Sequence, residues 1–258
     1  MVTMFRELFS YRVLIQTLVI RDLKARYRGS ALGLLWTLVN PLLHMVIYVL
    51  VFSVYMRVET DRYAAFLLCG LLPWIWLSSS LLLGATAIVE GGSLLKKVFF
   101  PPQVLPTVTV MANGANFLLG IPLLLILLLV FGIEPGWTLL LLPLIIASQC
   151  AFTLGLTFIL AAATVRYRDI PQILGHFLTF WFFLSPIIYP VAQVPEGFRA
   201  FLLFNPLTSF LVAYQNMLLY NTPPSWQAIA KMIGLSGLAL LLGVLIFDRL
   251  RWSLAEEV

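Results

Sequence analysis

Few residues in this 258-residue chain could do covalent or proton chemistry. It holds two histidines, two cysteines and eleven carboxylates. His44 and His176 fall in apolar stretches with no acidic residue spaced to form a proton relay. Each has two readings: a group lining or gating a passage, or a neutral imidazole bonded to a neighbouring helix. Cys69 and Cys150 sit in apolar runs away from any ligand-spaced His or carboxylate, and read as small buried hydrophobes. The carboxylates lie at the ends of apolar runs, so no paired-carboxylate site forms, and no metal site is expected. There is no loop of the form GxxxxGK[ST] to cradle a nucleotide's phosphates. What remains is recognition chemistry by cations, amides and aromatic faces.

The elements that carry those groups are long and apolar. Hydrophobic residues make up 61% of the chain and charged residues 10%, against roughly 25% charged in a soluble domain. The predicted fold is an all-α membrane protein with six transmembrane helices. Their spans are residues 31–55, 64–89, 104–131, 137–165, 170–189 and 228–247, since about 20 apolar residues cross a bilayer core. Residues 4–29 precede them as an amphipathic helix in the interface plane. Arg21, Lys24, Arg26 and Arg28 are its cations, and it runs without a linker into the first span. The opening residues carry Arg6, Glu7 and Arg12 and no small-residue cleavage site, which does not read as a secretory signal.

Six spans place both termini on one side. That side takes Arg6, Arg12, Arg21, Lys24, Arg26, Arg28, Lys96, Lys97, Arg166, Arg168, Arg249 and Arg251, twelve of the sixteen cations. Arg57, Arg62, Arg199 and Lys231 fall on the other. The positive-inside rule then makes both termini cytoplasmic. Although the net charge is +5, the cations cap apolar runs and build no basic face on a soluble domain, so nucleic acid is not expected as a partner.

Two cytoplasmic turns carry mixed charge and aromatic character. Leu94, Leu95, Lys96, Lys97, Val98, Phe99 and Phe100 form a short helix or turn between Gly91-Gly92 and Pro101-Pro102. Arg166, Tyr167, Arg168 and Asp169 form the second. Both are solvated basic caps on the plain reading; exposed Phe99, Phe100 and Tyr167 beside charges also make a docking surface. Outside, residues 190–226 are apolar but cut by prolines. Two pieces, 198–204 and 207–220, are too short to span, and fit a re-entrant hairpin facing protein or a water-filled cavity. Within the spans, Asn40-Pro41 predicts a kink. Asn113, Gly114 and Asn116 read as close packing with amide cross-links, and Gly234, Ser236, Gly237 and Gly243 as packing or a dimer seam. Aromatic residues fit interfacial belts. His44, Tyr48, Trp181 and Tyr189 are candidates to line a channel, where aromatic faces would pack on the C–H faces of sugars.

The motifs RYRGSALGLLWTLVNPL, LLCGLLPWIWLSSSL, VRYRDIPQIL, FFLSPIIYPV and FNPLTSFLVAYQNML, in that order, resemble the permease subunit of type-2 ABC exporters. The likeness is greatest to the subfamily that exports lipid-linked polysaccharides: O antigens, and more distantly capsules and teichoic acids. The resemblance implies that Arg21 to Arg28 belong to the interface helix. It implies that Leu94 to Phe100 couple to a groove of a separate ATPase subunit, with Arg166 to Asp169 as a second contact. Phe198, Phe204, Asn205, Pro206 and Tyr214 would belong to periplasmic gate helices. Two permease copies would form the channel in the bacterial inner membrane and two ATPase subunits would drive it, binding ATP and Mg²⁺ themselves, so that this chain holds no cofactor. Two other readings compete: an exporter of drugs or small lipids, and a membrane enzyme acting on lipid-linked sugars.

Overall fold

The computed structural model describes residues 2–57, 62–97 and 100–257, and all regular structure among them is helical. Where one helix is expected over residues 4–29, two form: α1 (Val2–Ser10) and α2 (Arg12–Tyr27). Tyr11 separates them at φ −91° and ψ 15°. Both pack onto the bundle. Met4 is buried beside Phe158 and Phe247, and Leu18 beside Phe100, Val104 and Val108. Val13 and Ile20 stay exposed on another side of α2, so its apolar residues occupy more than one face.

The first span begins with a tight turn at Gly33–Leu35, continues as α3 (Trp36–Tyr48) and ends in a wider π-type winding over Val49–Tyr55. Helix α3 runs on through Pro41, and the irregular winding comes after Tyr48 rather than at the proline. Then follow α4 (Tyr63–Glu90), the short α5 (Gly92–Lys97), α6 (Val104–Val130) and α7 (Leu142–Arg166), the last entered through a 3₁₀ turn at Trp137–Leu141. Helix α6 starts where Pro101 and Pro102 permit, with Pro106 in its first turn, where a missing N–H costs nothing. The chain closes with α8 (Ile170–Phe183), α9 (Glu196–Phe204), α10 (Pro206–Leu219) and α11 (Trp226–Glu257).

Among the described residues five helical stretches have the length and composition to cross a membrane: Trp36–Tyr55, Tyr63–Glu90, Val104–Val130, Trp137–Arg166 and Trp226–Leu250. The expected sixth, at 170–189, is shorter. Helix α8 has 14 residues, about 21 Å at the helical rise, against a bilayer core of about 30 Å. It stops because Pro186 has no N–H to continue the ladder and disfavours helical dihedrals at Ser185. The apolar run persists past that point, which is why composition alone overextends the span.

Helix α4 is the hub. Of its most apolar window 72% is buried, against 6% for the first span, so α4 is central and α3 peripheral. Helices α7 and α11 meet closely: a Cβ on Gly243 would lie 2.2 Å from the Gly155 carbonyl oxygen, and Ser236 Oγ donates to Ser148 O at 2.7 Å. The α5 end of the bundle is tied by Gln103 Nε2, which donates to Glu7 Oε2 at 2.6 Å. At the opposite end Asn221 Nδ2 donates to Glu134 O at 2.7 Å, and Gly136 N–H donates to Asn221 Oδ1 at 2.9 Å.

Candidate functional site

Three sets of predicted residues lie on different parts of the molecule. The first is the α5 end. Gly91 and Gly92 let α4 turn tightly into α5; a Cβ on Gly91 would lie 2.4 Å from Leu105 Cδ1. Leu94 and Leu95 are half-buried toward α2 and α6, which turns Lys96 and Lys97 outward. Val98 and Phe99 lie outside the described residues. Phe100 corrects the docking expectation. It is only 7% exposed, packed with Leu18, Val104 and Val108, because the following prolines fold it under α2. Arg166, Tyr167, Arg168 and Asp169, between α7 and α8, are all exposed. Tyr167 is 61% exposed, with the Arg166 guanidinium carbon 5.9 Å from its ring centroid. Val165, Ile88, Met4 and half-buried Leu95 share one apolar cluster, which puts this loop and α5 at the same end.

The second set is the cations of α2. Arg21, Lys24 and Arg28 line a shallow outward groove with Thr17 and Ile20. Arg26 turns inward. Its Nη2 pairs with Asp22 Oδ2 at 2.7 Å, and its Nη1 donates to Asn113 Oδ1 of α6 at 2.7 Å. Composition grouped the four; the 3.6-residue period separates one from three.

The third set faces two cavities. A cavity of about 590 Å³ opens between α3, α4 and α8, lined by Asn40, His44, Tyr48, Trp74, Ser78, Ser79 and Phe182 among others. His44 Nδ1 lies 2.9 Å from Asn40 O. Tyr48 stacks on Phe182 at 5.5 Å between centroids. Trp181 and Tyr189, expected beside them, instead line a second cavity of about 370 Å³ with Phe198, Phe201 and Asn205. His176 is exposed on α8 and lines neither of the two.

Asn205 links α8 to the α9–α10 elbow. Its Oδ1 accepts from Trp181 Nε1 at 2.9 Å and from Leu207 N–H at 3.0 Å; its Nδ2 donates to Ser185 Oγ at 2.9 Å. One amide thus caps α10, with Pro206 in its first turn, and pins the end of α8. The two hairpin helices differ. Helix α9 shows Phe198 and Phe204, 62% and 86% exposed, whereas Tyr214 of α10 is fully buried against Phe117. Sequence reasoning missed Gln215, whose Nε2 donates to Pro186 O at 2.9 Å, and Tyr63, whose hydroxyl donates to Ile188 O at 2.8 Å. The available signal was a polar group in an apolar helix, which must find an internal partner.

Among the described residues no three His, Cys, Asp or Glu side chains come together as a metal site. The arrangement presents exposed cations and Tyr167 at one end and two aromatic-walled cavities deeper in.

A family model described as ABC-2 type transporter matches residues 13–219. The chain is 43% identical to the O-antigen export system permease protein RfbA of Myxococcus xanthus, over 100% of each chain. It is 32% identical to the protein of the same name from Klebsiella pneumoniae, over 92% of this chain and 91% of that one. The polysialic acid transport protein KpsM of Escherichia coli is 27% identical, over 76% and 77% of the two chains.

Proposed function

The chain belongs to the ABC-2 type transporter membrane family, and from that premise we propose that it is the channel-forming permease of an ATP-driven polysaccharide exporter. Members of this family are transport subunits and not enzymes. The substrate in this reading is a lipid-linked polysaccharide: O antigen first, with capsule or teichoic acid as related polymers. The observation that carries it is the full-length match to a named O-antigen export permease.

In this reading both termini lie in the cytoplasm, as the placement of twelve of the sixteen cations supports. The α5 end then meets a separate ATPase subunit, which binds ATP and Mg²⁺. Lys96, Lys97 and the Arg166–Asp169 loop are the contacts. ATP-driven closure of the partner pushes on α5 and on α1–α2, and so on α6, against which α2 is packed. Two copies pair so that their open cavities face one another. Support comes from the sparse burial of the first span and from apolar groups left exposed on it and on α8, including Ile47, Phe177 and Phe180. The α9–α10 hairpin, joined to α8 through Asn205, gates the outer end.

Deletion cells test the reading. Lipid-linked glycan should accumulate on the cytoplasmic side and return to the surface on complementation, with drug sensitivity unchanged. Normal surface glycan together with altered drug efflux would assign the chain to a different cargo.

A further inference from the structure

We propose that a small polar cavity between α2, α3, α4 and α6 binds the phosphate group of a membrane lipid. The cavity measures about 180 Å³, and Arg26, Asn40, Ser79, Asn113 and Asn116 are among its walls. Two observations point to a ligand there. The cavity gathers a guanidinium, three amides and two hydroxyls within a bundle whose interior is otherwise mostly apolar. In addition, Asn113 is 4% exposed and its Nδ2 has no hydrogen-bond partner.

The amide cannot be turned over to escape this. Its Oδ1 accepts from Arg26, and a guanidinium only donates, so Nδ2 is fixed as the group left over. A buried N–H without an acceptor is costly, which a ligand oxygen would relieve. Arg26 adds further donors. Its side chain is 26% exposed, and its two terminal nitrogens reach Asp22 and Asn113, which leaves other N–H groups of the five-donor fork. Asp22 offsets part of the guanidinium charge but leaves these donors in place. Converging donors require a ligand rich in acceptors, and a phosphoryl group has the oxygens to take several donors at once. The location fits, since Arg21, Lys24 and Arg28 stand on the outward side of the same helix, where lipid phosphates lie.

The site also borders the larger cavity: Asn40, Ile75 and Ser79 line both. A lipid held by its phosphate here stands at the side of the space that holds His44 and Tyr48. Assigning that phosphate to the linkage between lipid and glycan rests on the transport reading above. A phospholipid headgroup offers the same chemistry.

The test uses the permease–ATPase complex in a maltoside detergent, which carries no phosphate, titrated with farnesyl diphosphate and with farnesol. The diphosphate should bind at least roughly tenfold more tightly, the size of one charge-assisted hydrogen bond. Arg26→Gln and Asn113→Asp should each abolish that preference, whereas exposed Gln16→Ala, outside both the cavity and the cationic groove, should keep it. Asn113→Asp retains an acceptor for Arg26, so the fold survives while the donor is replaced by a negative charge. Equal binding of the two probes, or a preference intact in both variants, overturns the site. Displacement by an equal concentration of phosphatidylglycerol overturns the link to the cargo and leaves a phospholipid site; displacement only by large excess supports the cargo. Glycan export by the wild-type complex in vesicles is measured separately. Its absence would strike the transport reading and not the site.

Discussion

Single side chains tie separate elements of this molecule to one another. Asn205 shows it most clearly: one amide caps α10, accepts the Trp181 indole N–H and donates to Ser185. Asn205→Ala removes all three and should lower stability by about 1–2 kcal/mol, the range for losing a helix cap. Thermal unfolding of the purified permease would register this as a lower melting temperature. Asn205→Asp keeps both acceptor bonds and should fall less; equal melting of all three proteins would mean that the elbow is held by something else. The sequence offered Asn205 only as a member of the expected gate hairpin; neither its cap nor its bond to Trp181 was read from it, and the latter joins residues brought together only by the fold. Arg26 and Asn113 teach the same lesson. Each type was visible, yet a sequence separation of 87 hid the pair.

At the scale of elements, the long apolar helices were readable from composition, because bilayer thickness fixes their length. Where composition stopped short was at α8, since it cannot tell an apolar helix from an apolar loop. Nor did it show that α2 is packed onto α6 through Leu18. Glycine roles also needed the fold. Gly243 abuts the Gly155 backbone, whereas Gly237 has no neighbouring atom within 4 Å of an added Cβ. Gly243→Ala should therefore force α7 and α11 apart at a cost of about 1–3 kcal/mol, as overpacking does. Gly237→Ala should be neutral or slightly stabilising, since a helical glycine gives up about 1 kcal/mol relative to alanine. Comparative melting of the two variants checks the contrast. For α5, reversing both charges (Lys96→Glu with Lys97→Glu) should reduce co-purification of the ATPase and slow export together. Unchanged assembly and export would remove these lysines from coupling.

For the molecule as a whole, one copy offers a cavity that is open along one face and flanked by the least-buried span. Under the proposed pairing of two copies, that geometry would supply half of a conduit. Ile47 of α3 is 59% exposed, so under the proposed pairing Ile47→Cys should cross-link two permeases in the membrane. Cys69 is fully buried and Cys150 largely so, which keeps the background low. Monomeric product alone would argue against pairing through this face. The decisive measurement is export by purified components: permease and ATPase in sealed vesicles, lipid-linked glycan on the ATPase side, and glycan assayed on the far side. Glycan should cross only when permease, ATPase and ATP are all present, and the permease alone should hydrolyse no ATP. Glycan crossing without the ATPase, or ATP hydrolysis by the permease alone, would contradict a passive channel driven by a separate subunit.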